Sequence, residues 1–254
     1  MPRLSVAIIA FNEENNIAPC LRSVAWADEI VVVDNGSTDR TREIARECGA
    51  HVLVVPDWPG FGVQKNRAID ACTGDWILAI DADERVEAPL RAEIERAVAQ
   101  TALEVYAMPR RSTYCGRFMR HGGWWPDYVT RLFRRGSARY SDARVHERLV
   151  TEQPVGRLSA PLTHYSFRSM DQVVDKVNRY SSEGARMLVE RGRTPGLASA
   201  IGHGLAAFLR TYIFKLGFLD GRFGFLLAVS NAEGSYYRYV KAMLAAQTRR
   251  DDLE

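Results

Sequence analysis

The feature that most constrains the fold is an alternation of short apolar runs with helical patterns along the first part of the chain. Four runs rich in β-branched residues occur in the order LSVAIIA, EIVVVD, HVLVV and DWILAI. Segments with apolar residues at helical spacing separate them, including GVQKNRAIDACTG before the fourth run. Strands that alternate with helices form βαβ units with parallel strands and right-handed crossovers. The pattern therefore predicts an α/β nucleotide-binding half-domain over residues 1–100.

The segment NGSTDRTREIARECG, between the second and third runs, carries turn and capping residues at both ends. Gly36 opens a turn, and Ser37 or Thr38 has a side chain able to cap the first turn of a helix. Gly49 follows the last helical turn, where glycine commonly ends a helix. The segment therefore predicts a helix bounded by these residues.

Charge and cysteine usage exclude several classes of protein. A net charge of +3 over 254 residues gives no general reason to expect a nucleic-acid partner. The cysteines have no C-x-x-C pair and no zinc-finger spacing, which predicts reduced thiols in a cytoplasmic protein. The apolar start is followed at once by Glu13 and Glu14, so it is interpreted as a strand and not as a signal peptide.

Polar residues follow each of the four predicted strands. They are Asn12 and Glu13, Asp34, residues 57–62, and residues 81–84. In open α/β sheets, ligands bind outside the carboxyl ends of the strands. We therefore expect these residues to line one ligand-binding edge.

The run DADE after the fourth strand places two aspartates at alternate positions. If the chain is still extended there, Asp81 and Asp83 project to the same side, and Glu84 points the other way. Two carboxylates so close are unfavourable unless a cation lies between them, and a hard divalent ion is the usual solution. The pair therefore predicts bound Mg²⁺ or Mn²⁺, which would complete its shell with water and the phosphates of a nucleotide diphosphate.

The segments VAIIAFNEENNI, IVVVDNGSTDRT and GFGVQKNRAIDACTGDWILAIDADE, in this order and spacing, resemble inverting glycosyltransferase family 2 with its D-x-D motif. They cover residues 4 to about 88. The later segments GGWWPDYVTRLFRR, VHERL and LTHYSFRS are similar to bacterial lipopolysaccharide-core β-1,4-glucosyltransferases. The resemblance implies an α/β GT-A fold with a Rossmann-like, mostly parallel sheet, and transfer of a hexose, expected to be glucose, from a UDP-sugar.

The resemblance also implies a donor site. Its nucleotide-sugar residues would be Phe11, Asn12, Glu13, Asp34, Lys65, Asn66 and Asp81. Asp34 would accept hydrogen bonds from the uracil or the ribose, and Lys65 would offset the charge of the diphosphate. Asp83 would bind the metal directly, and Asp81 would contact the ribose or reach the metal through water.

The acceptor side needs a base, because a one-step inverting displacement removes the proton of the attacking hydroxyl group. By its position in the family, Glu147 is the first candidate and Asp142 the second, with Asp127 further back. His146 would orient the base or the acceptor, or would act only as a structural hydrogen-bonding group. Trp124 and Trp125 would form a stacking wall for the acceptor sugar, with an ordinary core role as the alternative.

The segment GLASAIGHGLAAFLRTYIFKLGFLDGRFGFLLAVSNA is strongly apolar, but charged residues interrupt it: Arg210, Lys215, Asp220 and Arg222. No uncharged run reaches the roughly 20 residues that span a bilayer. We expect the segment to lie on the anionic inner face of the cytoplasmic membrane. The alternatives are a helical lid on the catalytic domain and a dimer surface.

The predicted organisation is a GT-A catalytic domain over residues 1–168 and a helical, membrane-associating extension over residues 169–254. The catalytic domain would comprise a nucleotide-sugar half (1–100) and an acceptor half (101–168). The expected acceptor is a lipid-linked oligosaccharide, with polyprenyl phosphate as the alternative. Two other classes were considered: a D-x-D phosphatase, against which Arg85 counts, and a non-catalytic nucleotide-sugar-binding protein.

Overall fold

The computed structural model describes residues 2–100, 102–141 and 148–251. The strands in these ranges are β1 (Leu4–Ala10), β2 (Glu29–Asp34), β3 (His51–Val54), β4 (Trp76–Asp81), β5 (Glu84–Arg85), β6 (Val105–Tyr114), β7 (Arg117–Phe118), β8 (Asp127–Arg134), β9 (Arg139–Tyr140), β10 (Leu149–Val150), β11 (Val155–Arg157) and β12 (Leu162–His164). The α-helices are α1 (Ile17–Ser23), α2 (Thr41–Glu47), α3 (Phe61–Asp70), α4 (Ala88–Gln100), α5 (Met170–Glu190), α6 (Leu197–Leu209) and α7 (Gly221–Asp251). A π-helical turn (Arg210–Phe214) and a 3₁₀ turn (Gly217–Asp220) connect α6 to α7.

The chain divides into two compact units. The sheet unit comprises Met1–Arg111 and Asp127–His164, and the helical unit comprises Ser112–Pro126 and Tyr165–Glu254. This division differs from the predicted one chiefly at residues 112–126, which group with the C-terminal helices. The functions assigned to the predicted domains stay predictions.

The central sheet of the sheet unit has the strand order β3-β2-β1-β4-β8-β6-β12-β5, and β11 also pairs with β6. Strands β1 to β4 are parallel, which confirms the predicted parallel sheet, and β8 joins β4 in antiparallel orientation. In register, Ala10 lies opposite Asp34 and Ile9 lies opposite Asp81. The carboxyl ends of β1, β2 and β4 therefore meet at one edge, as expected.

Strands β1, β2 and β4 are largely buried because helices cover the sheet, whereas the edge strand β3 is partly exposed. Val6 and Ile8 of β1 are fully buried among residues that include Ile17 and Leu21 of α1. On the other side of β1, Ala7 belongs to a second cluster. The near-continuous apolar run of β1 thus supplies both cores of the unit.

The predicted helix after β2 exists, but its predicted cap was wrong. Helix α2 begins at Thr41, and the Thr41 backbone N–H donates to Asp39 Oδ1 at 3.0 Å. Ser37 and Thr38 instead belong to the loop that holds the end of β1. At the other end, Gly49 has a φ of +81° directly after the helix, as predicted.

The helical unit has its own small core. Tyr114, Met119, Val173 and Leu227 are buried together, and Trp124 and Phe167 pack against them. The hydroxyl groups of Tyr114 and Ser230 are 2.8 Å apart, which ties the end of β6 to α7.

Candidate functional site

The D-x-D segment forms a tight turn at the edge of the sheet. Strand β4 ends at Asp81, the chain turns at Ala82 and Asp83, and β5 begins at Glu84. The expectation of an extended chain through Asp81 and Asp83 was therefore wrong, and the charge-repulsion argument for a metal loses its geometric basis. The buried Arg85 guanidinium fixes this turn by donating to the carbonyl oxygens of Ala82 at 2.9 Å and Asn16 at 2.8 Å.

Asp81 is neutralised by protein cations. One of its oxygens lies 3.0 Å from Lys65 Nζ, and the other accepts a 2.6 Å hydrogen bond from Arg131. Burial opposes ionisation of Asp81, but the charges of Arg131 and Lys65 outweigh it and hold the pKa of its carboxyl group well below its usual value. Asp81 is therefore a carboxylate at neutral pH.

Glu84 extends this charged cluster into the interior. Its side chain is fully buried, accepts a hydrogen bond from the Asp81 backbone N–H at 2.9 Å and contacts Arg131 at 2.9 Å. Arg131 also donates to the Tyr140 hydroxyl group at 3.1 Å. Burial lowers the pKa of the Arg131 guanidinium, but Asp81 and Glu84 outweigh burial and raise it well above its usual value. The permanently charged Arg131 thus holds both acids that flank Asp83.

Asp83 contacts a histidine from a distant strand. Because β12 pairs with β5, His164 lies opposite Glu84 in register, and His164 Nε2 is 3.2 Å from Asp83 Oδ2. This distance is that of a direct hydrogen bond or ion pair between the two side chains. The described residues contain no group of three or more histidine, cysteine, aspartate or glutamate side chains able to hold a metal ion. A carboxylate oxygen and an imidazole nitrogen are both donors that a divalent ion accepts, so a metal at this pair would need substrate oxygens and water to complete its shell.

The loops after β1 and β2 are joined by hydrogen bonds. Asn12, with a φ of +54°, donates its backbone N–H to Ser37 Oγ, and its side chain accepts from the Thr38 backbone N–H, both at 2.9 Å. The Glu13 backbone N–H donates to Thr41 Oγ1 at 2.7 Å, and the Glu13 carboxylate accepts from Asn16. These contacts fix the loop that carries Phe11, whose ring is 55% exposed.

Asp34 is fully buried at the end of β2. Its carboxylate accepts hydrogen bonds from the backbone N–H groups of Gly36 at 3.0 Å and Ser37 at 2.9 Å. The side chain therefore shapes the loop, and its contact with a uracil or ribose stays a prediction. The next residue, Asn35, has a buried side-chain amide whose Nδ2 has no hydrogen-bond partner among the described residues. Such an orphaned donor is the kind of group that a ligand carbonyl satisfies.

Lys65 and Asn66, the two predicted donor-site residues on α3, make different contacts. Lys65 lies 5.1 Å from the centre of the Tyr140 ring and contacts Asp81, so it is at the site. Asn66 exchanges hydrogen bonds with the backbone of Tyr140, each at 2.9 Å. Its side chain fastens β9 to α3, and its contact with a donor stays a prediction.

The predicted acceptor residues are less completely described. Trp124 packs in the helical unit against Tyr114 and Phe167, with ring centroids 5.7 and 6.2 Å apart. Trp125 is 37% exposed and stays a candidate for the stacking wall. The predicted bases Glu147 and Asp142, and the predicted orienting residue His146, lie outside the described residues.

Three residues at the site were missed by sequence reasoning. His164 lies in the quoted segment LTHYSFRS and Arg131 in RLFRR, but neither was connected to the D-x-D turn. Asn35 follows directly after Asp34, and its uncharged amide carries no charge signal in the sequence. Both segments were quoted only for their family resemblance, and no local signal in the sequence joined His164 or Arg131 to the acids.

Comparison with known proteins gives a family match over more than half of the chain. The family model described as glycosyl transferase family 2 matches residues 5–149. The lipopolysaccharide core biosynthesis glycosyltransferase LpsC of Rhizobium meliloti is 32% identical, over 98% of this chain and 96% of LpsC. An uncharacterized glycosyltransferase of Rickettsia prowazekii is also 32% identical, over 95% of this chain and 87% of that protein.

A solved structure supports the fold. The crystal structure of S. aureus TarS 1-349 in complex with UDP-GlcNAc has a TM-score of 0.51 and 15% sequence identity, and the match covers 96% of this chain and 92% of that chain. At this identity the likeness concerns the fold alone. It agrees with the observed arrangement of a mixed sheet followed by C-terminal helices.

Proposed function

The chain belongs to glycosyl transferase family 2 and is a glycosyltransferase with a GT-A fold; from this premise we propose a more specific reaction. The enzyme transfers a hexose, expected to be glucose, from a UDP-sugar to a hydroxyl group of a membrane-anchored lipopolysaccharide-core oligosaccharide. The transfer inverts the anomeric centre and depends on a divalent metal ion.

The proposal rests mainly on the contact between Asp83 and His164. This contact lies near Asp81, whose charge is compensated by Lys65 and Arg131. Asp83 together with His164 would hold Mn²⁺ or Mg²⁺. The imidazole nitrogen in this pair favours Mn²⁺, because Mg²⁺ prefers oxygen ligands. When bound, the ion supplies Lewis-acid stabilisation of the charge that develops on the departing UDP.

The remaining donor contacts follow from the loops at the sheet edge. Asn35 Nδ2 donates to a carbonyl oxygen of the base, which satisfies its orphaned N–H group. The exposed ring of Phe11 lies against the nucleoside. Asp81, held ionised, accepts a hydrogen bond from a ribose hydroxyl group. Lys65 offsets part of the charge of the diphosphate.

The acceptor half supplies the base. Glu147 takes the proton of the acceptor hydroxyl group as that oxygen attacks the anomeric carbon, and Asp142 is the second candidate for this role. The similarity to LpsC over almost the whole of both chains supports a lipopolysaccharide-core acceptor. Such an acceptor is lipid-linked, and we place the enzyme at the cytoplasmic side of the membrane as a peripheral protein.

The test is to incubate the purified chain with Mn²⁺ or Mg²⁺ and a panel of UDP-sugars, and to measure binding and slow hydrolysis of each donor. Transfer is then measured to soluble core oligosaccharides and to polyprenyl phosphate. We expect metal-dependent binding of one UDP-hexose and transfer to the oligosaccharide. Transfer only to polyprenyl phosphate would replace the proposed acceptor, and no donor binding with either metal would refute the proposal.

Matched variants test the metal ligands. Asp83→Ala and His164→Ala should each abolish metal-dependent donor binding and nearly all transfer. His51→Ala changes an exposed histidine on β3 and should leave both unchanged. The metal assignment fails if Asp83→Ala keeps wild-type activity in the presence of a chelator.

A further inference from the structure

The connection between α6 and α7 exposes an unusual amount of apolar surface. In residues 209–226, here called the apolar tip, the exposed large hydrophobic side chains are Leu209, Ile213, Phe214, Leu216, Phe218, Leu219, Phe225 and Leu226. The ring of Phe214 is 78% exposed. Helix α6 continues the surface through Leu197, Ile201 and Leu205, which recur every four residues along one helix face. Exposed large apolar side chains concentrated in one segment are typical of an interaction surface.

The exposed charges of the apolar tip are all positive. Arg210, Lys215 and Arg222 are exposed, and Asp220 is the remaining charged residue of this fully described segment. The Asp220 side chain is only 8% exposed and accepts hydrogen bonds from the backbone N–H groups of Arg120 at 3.1 Å and His121 at 2.8 Å. Apolar side chains among unopposed cations are complementary to an anionic lipid surface.

Helix α6 packs one face on α7 and leaves the other face exposed. By length and composition, the segment Leu197–Phe214 is a candidate membrane span of 18 residues. One face of α6 is nevertheless packed on α7, because a Cβ atom on Gly204 would lie 3.2 Å from Tyr236 Cβ. The ring of His203 also stacks on Tyr239 with centroids 3.9 Å apart. The opposite face is therefore the one that can meet lipid.

The apolar tip is tied to the loop at residues 120–125, within the same unit. The Gly122 backbone N–H donates to the Lys215 carbonyl oxygen at 2.8 Å, and Asp220 holds the backbone of His121. Gly123 has a φ of +84°, and a Cβ atom there would lie 2.5 Å from Lys215 Nζ. The position of the tip therefore sets the position of the loop that carries Trp125.

We propose that the apolar tip inserts into the headgroup boundary of an anionic bilayer and holds the loop at residues 120–125 at the membrane surface. A lipid-anchored acceptor would then meet the enzyme at the place where its sugar chain emerges. The acceptor part rests on the proposed function, but binding of the tip to lipid requires neither donor nor acceptor. Binding of the tip to lipid and the proposed acceptor can therefore be refuted separately.

The charge test uses the full-length chain and vesicles of phosphatidylcholine, with or without phosphatidylglycerol, at low and high salt. We expect sedimentation with the anionic vesicles only, weakened by salt. Each cation near an anionic surface contributes about fivefold in affinity, so replacing Arg210, Lys215 and Arg222 with Glu should weaken binding by at least about 100-fold. The control replaces an equal number of exposed arginines outside the tip with Glu, namely Arg96, Arg191 and Arg193. This control variant has the same net charge as the variant of the tip, and its affinity for anionic vesicles should fall much less.

The insertion test changes apolar side chains without changing charge. Phe214→Ser combined with Leu219→Ser should weaken vesicle binding by about tenfold or more, because both side chains lose burial in the bilayer. Both residues are exposed, so circular dichroism and thermal unfolding should stay unchanged. The control is Val174→Ser, an exposed apolar position on α5 that should leave binding unchanged.

Four outcomes would overturn the inference. The first is a wild-type chain that ignores anionic vesicles at low salt, and the second is equal loss of binding in the two charge-reversal variants. The third is a dimer by light scattering that Phe214→Ser dissociates, because the surface would then receive a second copy. The fourth is membrane-bound enzyme that only detergent releases, because α6 would then span the bilayer. Transfer to a soluble core oligosaccharide, measured in parallel, reports on the proposed function alone.

Discussion

Arg131→Met tests whether the charged cluster around the D-x-D turn depends on one buried guanidinium. Methionine keeps a long apolar side chain but removes the hydrogen bonds to Asp81, Glu84 and Tyr140. Glu84 is fully buried, and its nearest remaining cation would be Arg110 at 3.6 Å. Asp81 keeps Lys65 and is partly exposed to water.

The expected cost follows from these surroundings. Removing one partner of a buried ion pair costs about 3–5 kcal/mol, because it leaves an uncompensated buried charge. Asp81 can regain water and Arg110 still compensates part of the Glu84 charge, so the loss of the ion pairs lies at the low end of this range, and the charge-assisted hydrogen bond to Tyr140 adds about 1.5 kcal/mol. We therefore expect Arg131→Met to lower the free energy of unfolding by about 3–5 kcal/mol.

The assay is urea unfolding at neutral pH, followed by circular dichroism and by tryptophan fluorescence, whose coincidence justifies a single free energy. Arg134→Met, on the same strand, breaks an exposed ion pair with Glu104 and should cost about 1 kcal/mol or less. Glu84→Gln added to Arg131→Met should recover part of the loss, because it removes the stranded charge. Equal stability of Arg131→Met and Arg134→Met would refute the reasoning.

Two further predictions concern chemistry and pH. Glu147→Gln should keep the affinity for donor and metal but lower the transfer rate by about 10²- to 10⁴-fold; loss of donor binding in a folded variant would direct attention to Asp142. The pKa of Asp81 is lower in the folded chain than its unfolded value of about 3.9, so its stabilisation is present above that pH and is lost as the pH falls below about 4. Asp81→Asn should therefore be less stable than wild type at neutral pH, and the difference should shrink in urea titrations at acid pH. If the stability difference between Asp81→Asn and wild type did not change with pH, the assigned role of the Asp81 charge would be contradicted.

The sequence alone determined the four parallel strands of the sheet and the edge where the site lies. Strands β1 to β4 were predicted because β-branched apolar runs alternate with helical patterns, and both signals are local. The polar residues after those strands had to share one edge, because parallel strands end on the same side. Asp34, Asp81 and Asp83 could therefore be selected as a group before any geometry was known, whereas Lys65 was selected from the family resemblance.

Only the tertiary structure decided which of these groups meet and what neutralises them. His164 reaches Asp83 because β12 pairs with β5, and Arg131 reaches Asp81 because β8 pairs with β4. Both pairings join strands that are distant in sequence, and no local pattern encodes the order of strands in a sheet. The turn at Asp83 could not be predicted from the sequence either. Arg85 fixes this turn by donating to the carbonyl oxygen of Asn16, which is distant in sequence. Side-chain periodicity predicts which residues share a face while the chain stays extended, and a buried contact with a distant loop determines where the extension ends.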